Sequence, residues 1–420
     1  PTPGTSFFTI FPSFITNTTR RTAVMSIVRS RFPLLCYRIL MRILLSSGEA
    51  SGDTYGAQVI EALRRRQADI ELFGAGGERM RAAGCDTVVS AKDISVVGLA
   101  EVITHLPKIY GKYKKLLREI DRRRPDAAVL IDFPEWNFRL AQELHHRKIP
   151  VIYYVSPQLW AWRPGRIEQV KKFVSKMLVI FPFEEAWYRE RGVEAEYVGH
   201  PLIDVPRPQP PHLRSPQIPI GLLPGSRQKE ISMNLPTLLQ AAKQLGRDYQ
   251  YFLPVASTIN PKWMADFIHR VLGEDPGVNL KLESDARLVL AQSRAAMVAS
   301  GTATVEAALI GTPFVMVYRV SPVTYKVGRG MVKVPFFAMP NLIAGREVVP
   351  ELVQKDFTPE NVAARMREIL PDGPARTQML SGFAEIRKKL TVSSEGTTAD
   401  RVASKVFELL GNRIPTAASR

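Results

Sequence analysis

Residues 41–53 read Met41-Arg-Ile-Leu-Leu-Ser-Ser-Gly-Glu-Ala-Ser-Gly-Asp53, an apolar run followed by a loop of small and acidic residues. The run predicts a buried strand, and the amphipathic residues after it predict a helix. Glycines let backbone amides approach a ligand, and a helix N-terminus favours a negative group. Glu49 and Asp53 carry negative charge where the pyrophosphate of a dinucleotide would lie, so the loop is not a dinucleotide-binding fingerprint. For Ser51 and Asp53 the alternative role is helix capping.

The same alternation of short apolar runs and amphipathic stretches continues on both sides of a proline-rich segment. Residues 201–219 contain seven prolines, which neither a helix nor a central strand accommodates, so this segment is predicted to link two domains. The predicted strands are residues 42–46, 71–73, 127–131, 151–155, 177–180, 195–198, 218–223, 251–254, 280–282, 295–298 and 313–317. The predicted helices are residues 53–66, 107–123, 135–146, 228–245, 261–272, 285–293, 302–310, 359–370 and 399–410. The pattern indicates an α/β fold of two doubly wound, Rossmann-like domains that face a cleft, where such folds bind their ligands.

The predicted domain boundaries follow from this pattern. They are an N-terminal domain at residues 41–205, a linker at 206–217, a C-terminal domain with the C-terminal helices at 218–411, and a tail at 412–420. The first forty residues hold five arginines and no acid. They show no helical or strand periodicity of apolar residues that continues into the first predicted strand. We expect residues 1–40 to be an unstructured or non-native extension, and we favour translation of upstream DNA, with Met41 as the start, over an organelle-targeting sequence.

Composition narrows the classes of function. The net charge of +17 favours anionic partners such as phosphorylated substrates or lipid surfaces. Two cysteines do not supply a disulfide framework, and no apolar run reaches the roughly 20 residues that span a bilayer. The chain lacks an Asp-x-Asp pair, a His-x-x-x-His pair and a P-loop, so no metal or cofactor is predicted. His200, before the linker, is either a ligand contact or a buried hinge residue.

A carboxylate ends one apolar strand of the first domain, in Ile131-Asp-Phe-Pro-Glu-Trp-Asn137. At the carboxyl end of a parallel strand, partial burial raises the pKa of an acid toward that of a useful base, so Asp132 is the catalytic candidate. Helix capping is a weaker explanation of Asp132, because Glu135 or Asn137 is better placed to cap. The next loop contains Ser156 and two tryptophans, whose faces suit sugar rings or acyl chains but equally pack a core.

Two loops of the second domain are predicted to bind the phosphates and ribose of a nucleotide. In the first, the loop amides cradle a phosphate and an arginine pairs with it. In the second, hydroxyls come after a strand and a glutamate one helical turn later reaches a ribose diol. The candidate residues are Gly225, Ser226, Arg227, Ser300, Gly301, Thr302 and Glu306.

Seven short motifs stand in a characteristic order. They are Ser-Gly-Glu-Ala-Ser-Gly-Asp (47–53), Ile-Asp-Phe-Pro-Glu-Trp-Asn (131–137), Tyr-Val-Ser-Pro-Gln-Leu-Trp-Ala-Trp (154–162), Val-Gly-His-Pro (198–201), Leu-Leu-Pro-Gly-Ser-Arg (222–227), Ala-Ser-Gly-Thr-Ala-Thr-Val-Glu (299–306) and Pro-Asn-Leu-Ile-Ala-Gly-Arg-Glu (340–347). In order and spacing they closely resemble the bacterial lipid-A-disaccharide synthase family, from about Met41 to the C-terminus. Each motif alone is weak, but seven in order are specific.

This resemblance implies a GT-B glycosyltransferase that joins UDP-2,3-diacylglucosamine to 2,3-diacylglucosamine 1-phosphate, with inversion and without a required metal. Asp132 would be the general base for the acceptor 6-hydroxyl, and Arg227 with the Gly225–Ser226 amides would stabilise the departing diphosphate. The other substrate-binding positions implied are Glu49, Ser51, Asn137, Ser156, Ser300, Gly301, Thr302, Glu306, Asn341 and Arg346. The enzyme would be cytoplasmic and peripheral on the inner face of the inner membrane, as a monomer or homo-oligomer.

A basic amphipathic stretch at residues 96–118 is the first candidate for docking on anionic lipid, and residues 325–337 are the second. An ordinary surface helix with a solvated basic face explains the first stretch equally well. Other functions remain open: a transferase acting on a polyprenyl-linked peptidoglycan precursor, which would want a glycine-rich first loop, a UDP-sugar epimerase, or an exported solute-binding protein. Nucleic-acid binding is not predicted, because no basic stripe with stacking aromatics occurs.

Overall fold

The computed structural model describes residues 40–94, 99–209, 216–256, 258–273, 277–321 and 334–411, with the backbone only at 99–106. The predicted extension up to residue 39, the predicted tail and residues 210–215 of the predicted linker lie outside the described residues. So do residues 96–98 and most of the second candidate membrane segment.

Two parallel sheets carry the fold, and the first has seven strands in the order β3-β2-β1-β4-β5-β6-β7. Its elements are β1 (Arg42–Ser47), α1 (Ala50–Arg66), β2 (Glu71–Gly76), α2 (Glu78–Ala82), β3 (Asp86–Ser90), α3 (Ala91–Ile94), α4 (Leu99–Arg123), β4 (Ala127–Ile131), α5 (Pro134–His146), β5 (Val151–Tyr154), α6 (Ile167–Phe173), β6 (Lys176–Val179), α7 (Pro182–Arg189) and β7 (Ala195–Tyr197). Short 3₁₀ turns lie at Pro164–Arg166 and Pro201–Ile203.

The second sheet has six strands in the order β10-β9-β8-β11-β12-β13. Its elements are β8 (Ile218–Leu223), α8 (Gln228–Leu245), β9 (Tyr249–Pro254), α9 (Pro261–Leu272), β10 (Asn279–Glu283), α10 (Ala286–Gln292), β11 (Ala295–Ala299), α11 (Thr302–Ile310), β12 (Phe314–Tyr318), α12 (Met339–Ala344), β13 (Glu351–Val353), a 3₁₀ turn at Gln354–Asp356, α13 (Pro359–Ile369), α14 (Pro374–Leu390) and α15 (Thr398–Gly411). The predicted pair of doubly wound α/β sheets is confirmed.

The central strands are apolar because helices cover both faces of each sheet. All five residues of β4 and of β11 are buried, and the neighbouring strands pair with them in parallel register. The strand order reverses between β1 and β4 in the first sheet, and between β8 and β11 in the second. Loops at the carboxyl ends of strands beside such a reversal form the usual ligand crevice of doubly wound folds.

The last helix, α15, returns to the first sheet. It packs on α1, and Arg65 of α1 forms an ion pair of 2.7 Å with Asp400. Lys405 pairs with Glu196 of β7 at 2.9 Å, and Nε of Arg401 donates to the carbonyl of Val198 at 2.7 Å. The sequence groups this helix with the second domain, whereas these contacts join it to elements of the first sheet.

Candidate active site

The predicted site residues lie mainly in loops after β1, β4, β5, β8 and β11. In the first sheet β4 stands between β1 and β5, and in the second β8 is beside β11. An ion pair links the two sets of loops, because Nη2 of Arg227 lies 3.0 Å from Oε2 of Glu49. The sequence places these two residues on different sheets, and folding brings them into direct contact.

Asp132 follows β4 directly and has an unusual backbone. It and Phe133 both adopt left-handed conformations, with φ of 46° and 49°, a region that residues other than glycine rarely occupy. The amide of Asp132 donates to the carbonyl of Tyr154 at 3.1 Å. Its carbonyl accepts from Nδ2 of Asn137 and from the Tyr153 hydroxyl, each at 2.7 Å. These contacts hold the residue against the end of the sheet.

The electrostatic surroundings of Asp132 favour a base near neutral pH. Burial of the carboxyl, followed by the negative charge of Glu49, raises its pKa to about 7, while the Phe133 amide and Arg227 act in the opposite direction. Protein surrounds the carboxyl, yet the residue keeps a partly exposed surface. An acid with such a pKa is ionised in a substantial fraction of molecules at neutral pH, and it accepts a proton readily.

The loop after β8 is organised around one carboxylate that the sequence motifs do not single out. Oε2 of Glu230 accepts from the amides of Ser226 at 3.1 Å and Arg227 at 3.4 Å. Its Oε1 lies 3.1 Å from Nη1 of Arg227. The guanidinium of Arg227 is therefore held between Glu49 and Glu230. The spacing of three residues from Arg227 to Glu230 at a helix start was the available signal.

The loop after β11 presents an exposed edge and a buried acid. Gly301 and Thr302 are exposed at the start of α11, and the Ser300 hydroxyl donates to the carbonyl of Phe337 at 3.1 Å. Glu306 is mostly buried, which raises its pKa, and Arg287 lies 3.7 Å away and opposes that rise. A cavity of about 150 Å³ adjoins Glu306 and Arg287 beside the connection that follows β7, residues 198–207, which is called the hinge below.

Tyr55 of α1 is a further residue that sequence reasoning missed. It is buried, and the charges of Glu306 and Asp132 both add to the rise that burial causes in its pKa. The phenol thus lies within electrostatic range of acids from both sheets. An aromatic residue in an amphipathic helix is ordinarily a core residue, so the sequence offered no signal.

Two predicted substrate-binding amides are hydrogen-bonded within the protein, mainly to backbone groups. Asn137 and Asn341 are both fully buried. The Asn137 amide group accepts from Ser46 at 2.7 Å and donates to backbone carbonyls of Ile131 and Asp132. Asn341 accepts from two backbone amides and donates to Val349 and to the Glu351 carboxylate. Both side chains shape loops, and none of their donors points free into the cleft.

The remaining predicted positions are distributed more widely. Ser156 is buried and hydrogen-bonds the Tyr188 hydroxyl at 2.9 Å, beside Glu184, whose burial raises its pKa to about 7. Ser51 is partly buried in the first turn of α1. Arg346 pairs with Glu385 of α14 at 2.7 Å, so its charge already has a partner outside the loops that end β8 and β11.

Asp53 and His200, for each of which the sequence leaves two roles open, both hydrogen-bond backbone amides. Asp53 accepts from the amides of Gly77, Arg79 and Met80, and therefore caps α2 rather than its own helix. His200 is buried, accepts from the Leu202 amide at 3.2 Å, and burial lowers its pKa to about 3. It is therefore neutral and hydrogen-bonded within the connection that follows β7.

The candidate lipid-docking stretch is partly a core-facing helix. Leu116 of α4 is buried, and Ile109, Tyr113 and Leu117 pack against the first sheet's core. Tyr110 stays exposed with Lys114 over its ring at 4.7 Å. Within the described ranges, no helix is both long and apolar enough to cross a bilayer, and no group of three acidic, His or Cys residues is arranged to hold a metal ion.

Comparison with known proteins shows which family the chain resembles. The family model LpxB, described as lipid-A-disaccharide synthetase, matches residues 43–402. The lipid-A-disaccharide synthase of Koribacter versatilis is 56% identical over 380 residues, which cover 88% of this chain and 99% of that protein.

Solved structures agree at the level of fold. The calicheamicin glycosyltransferase CalG4 has a TM-score of 0.56 at 18% identity, covering 90% of this chain and 100% of the other. The S. aureus MnaA–UDP co-structure has a TM-score of 0.59 at 14% identity, covering 88% and 97%. The chain shares the two-sheet GT-B fold of such proteins, and by its family match it belongs to the lipid-A-disaccharide synthases, glycosyltransferases of lipid A biosynthesis.

Proposed function

We propose that this chain transfers 2,3-diacylglucosamine from its UDP derivative to the 6-hydroxyl of 2,3-diacylglucosamine 1-phosphate, with inversion. The products are UDP and the β-1,6 disaccharide 1-phosphate. Family membership supports the reaction class. The residue assignment rests on the Asp132 carboxyl. This carboxyl lies at the end of a central strand, has a pKa of about 7 and is within electrostatic range of Arg227.

In the proposed reaction the acceptor oxygen attacks the anomeric carbon while Asp132 takes the hydroxyl proton. The bond from that carbon to the diphosphate oxygen breaks, and UDP leaves with the electron pair. Arg227 and the loop amides stabilise the added negative charge, a role worth about 3–4 kcal/mol in comparable sites. The reaction as proposed uses no metal ion, because Arg227 supplies the positive charge.

The donor assignment rests on the second sheet. Loops that end β8 and β11 beside a strand-order reversal suit a nucleotide diphosphate, with Gly225 to Arg227 at the phosphates and Ser300 to Thr302 and Glu306 at phosphate and ribose. The protein MnaA of the same fold is solved with UDP, which supports UDP as the nucleotide. Glu49, Ser51 and Ser156 are assigned to the acceptor side.

The direct test mixes the two acylated monosaccharides and follows the disaccharide phosphate and UDP by mass spectrometry. Asp132→Asn keeps the side-chain shape, and we expect it to lower kcat by about 10²- to 10⁴-fold while UDP affinity is preserved. Asp121→Asn is the control, because Asp121 is exposed and pairs only with Arg147 at 2.7 Å among the contacts described. Full activity of Asp132→Asn would overturn the base assignment.

The same mixture separates the rival functions. An epimerase would convert the UDP-sugar without an acceptor, whereas the proposed transferase needs both substrates. Absence of product from the wild-type protein with both substrates present would refute the proposed substrates.

We also propose that the enzyme docks on the anionic inner face of the inner membrane through α4. The docking residues would be Tyr110, Lys114 and Arg118, all exposed on this helix. Attraction to anionic lipid is worth about 1 kcal/mol for each basic residue near the surface. We expect co-sedimentation with vesicles of anionic lipid, reduced by Lys114→Glu with Arg118→Glu and unchanged by Lys355→Glu with Lys388→Glu. Equal losses in both double variants would contradict docking by α4.

A further inference from the structure

The donors assigned to the diphosphate already have an internal anionic partner. The amides of Ser226 and Arg227 donate to one oxygen of Glu230, and the Arg227 guanidinium contacts the other at 3.1 Å. Three donors of one loop thus converge on a single carboxylate, the arrangement in which a phosphate oxygen would be bound. Because Glu230 and a phosphate need the same donors, both cannot be bound there together.

The loop is shaped for this close approach. Gly225 has a φ of 120°, which other residues rarely adopt, and a Cβ atom at this position would lie 2.6 Å from Oε2 of Glu230. The carboxylate is therefore packed against the loop that carries the donors. Both Arg227 and Glu230 are about two-fifths exposed, so an incoming ligand can reach them.

A second carboxylate completes the arrangement. Glu49 of the first sheet contacts the other guanidinium nitrogen of Arg227 at 3.0 Å. The two acids neutralise Arg227 from opposite loops, and both must give way or rearrange when a diphosphate binds. Glu49 is already assigned to the acceptor side, so Glu230 is the residue with no other function in the reaction.

We propose that Glu230 is an affinity-setting residue of the donor site, where its carboxylate competes with the nucleotide diphosphate for the Ser226 and Arg227 donors. It weakens UDP binding and promotes UDP release after transfer, since it replaces the departing phosphate at the same donors. This inference rests on the proposed donor site. The alternative is that Glu230 only caps α8, because a glutamate in the first turn ordinarily reaches back to such amides.

The variant Glu230→Gln separates competition from capping. Glutamine keeps an oxygen that accepts from the amides, and it removes the charge that excludes a phosphate. We expect calorimetry to give a Kd for UDP about three- to tenfold lower than that of the wild-type protein, the size of effect for one partly screened like charge. The melting temperature should stay close to that of the wild-type protein. UDP should also become a stronger product inhibitor of the full reaction.

Two comparisons make this result specific. Uridine carries no phosphate, so its binding should be the same in the wild-type and Glu230→Gln proteins. The matched control is Glu368→Gln, because Arg365 and Glu368 form an ion pair with the same spacing of three residues at 3.0 Å on α13. We expect this control to leave the Kd for UDP unchanged.

Each other outcome has a definite meaning. An unchanged or higher Kd for UDP in Glu230→Gln, or an equal gain for uridine, overturns the competition and leaves Glu230 as a cap. If Glu230→Gln is poorly folded, Glu230→Ala takes its place, and competition again requires tighter UDP binding. If the wild-type protein binds no UDP, the proposed donor itself fails, which is distinguishable from failure of this inference alone.

Discussion

Asp132 is held in its conformation by its neighbours rather than by its own preference. A non-glycine residue in the left-handed region costs on the order of 1–3 kcal/mol, and here two occur in succession. The carbonyl of Asp132 accepts from Asn137 and Tyr153, and its amide donates to Tyr154. Asn137 and Tyr153 therefore hold the backbone of the proposed base, while the charges of Glu49 and Arg227 act on the pKa of its carboxyl.

The pKa of Asp132 depends in part on Glu49, and this gives a pH prediction. Burial and then the Glu49 charge raise this pKa to about 7. Since the base must be ionised, kcat/KM should increase with pH through about 7 and level off above it. Glu49→Gln removes a negative charge that raises the pKa, so the acidic limb of the profile should move to lower pH.

The measurement is kcat/KM from pH 5 to 9 for both proteins. Glu49→Gln also removes one of the two carboxylates that pair with Arg227, and the less neutralised positive charge lowers the pKa of Asp132 further. Glu168→Gln is the control, because Glu168 pairs with Lys171 at 2.9 Å on the surface, and its profile should match that of the wild-type protein. An acidic limb that moves to higher pH in Glu49→Gln would contradict the proposed effect of the Glu49 charge on the pKa of Asp132.

The sequence predicts some of these residue positions and not others, for a physical reason. A carboxylate directly after an apolar strand must emerge at the sheet's carboxyl edge, so the position of Asp132 follows from the pattern. Asn137 and Asn341 stand in equally polar loops, but their amides turn inward to satisfy backbone groups. The direction in which an amide points depends on tertiary contacts that a linear pattern does not contain. Glu230 and Tyr55 were missed because a capping acid and a core tyrosine are their ordinary roles.

Among the elements, the strongly apolar strands and long periodic helices were predicted, and the weakly patterned ones were not. Several helices and strands of the second sheet, among them β8 and α8, have the predicted bounds to within one residue. The edge strand β3 was missed because only one of its five residues is buried. The 17-residue helix α14 was also missed, since Gly382 and polar residues interrupt its apolar face.

Gly382 is required by packing, which gives a stability prediction for α14. A Cβ atom at this buried position would lie 2.4 Å from Cγ1 of Val348. Gly382→Ala should therefore lower the free energy of unfolding by about 1–2 kcal/mol, because the clash outweighs the better helix propensity of alanine. Thermal and urea unfolding measure this change.

Gly111 of α4 supplies the matched control. It is an exposed helical glycine, and a Cβ atom added there would meet no atom within 4 Å apart from its own helix backbone. Gly111→Ala should raise the free energy of unfolding by about 0.5–1 kcal/mol. Val348→Ala combined with Gly382→Ala should recover part of the loss. Equal effects of the two single variants would show that propensity, not packing, selects glycine at position 382.

At the scale of the whole molecule, α15 brings the end of the chain back to the first sheet. The chain leaves the first sheet after β7, builds the second sheet, and returns through α15 to α1. The ion pair between Glu49 and Arg227 is one direct link across the site, and the contacts of α15 are a second. The two-sheet fold was predicted from alternating patterns, but this return was not, because an amphipathic helix does not indicate which sheet it covers.

Arg401 connects this helix to the hinge, and its removal should affect catalysis more than nucleotide binding. Its guanidinium donates to the carbonyls of Val198 and Gly396, each at 2.7 Å, and to the Thr398 hydroxyl. Arg401→Ala frees these acceptors and loosens the hinge, so Asp132 and Arg227 are aligned less often. Misplacement of reacting groups by about 1 Å costs up to 10²-fold in rate, and we expect kcat/KM to fall about tenfold.

The residues proposed to contact UDP all belong to loops of the second sheet, so the Kd for UDP should stay within about twofold of the wild-type value. Calorimetry and steady-state kinetics are compared at one temperature, with circular dichroism to verify that the variant is folded. Arg365→Ala is the control, because Arg365 pairs with Glu368 within α13 and does not reach the hinge. If UDP affinity falls as much as kcat/KM, Arg401 supports the second sheet itself. If neither changes, the ion pairs of Arg65 and Lys405 are sufficient to hold α15 on the first sheet, and the hinge contact is redundant.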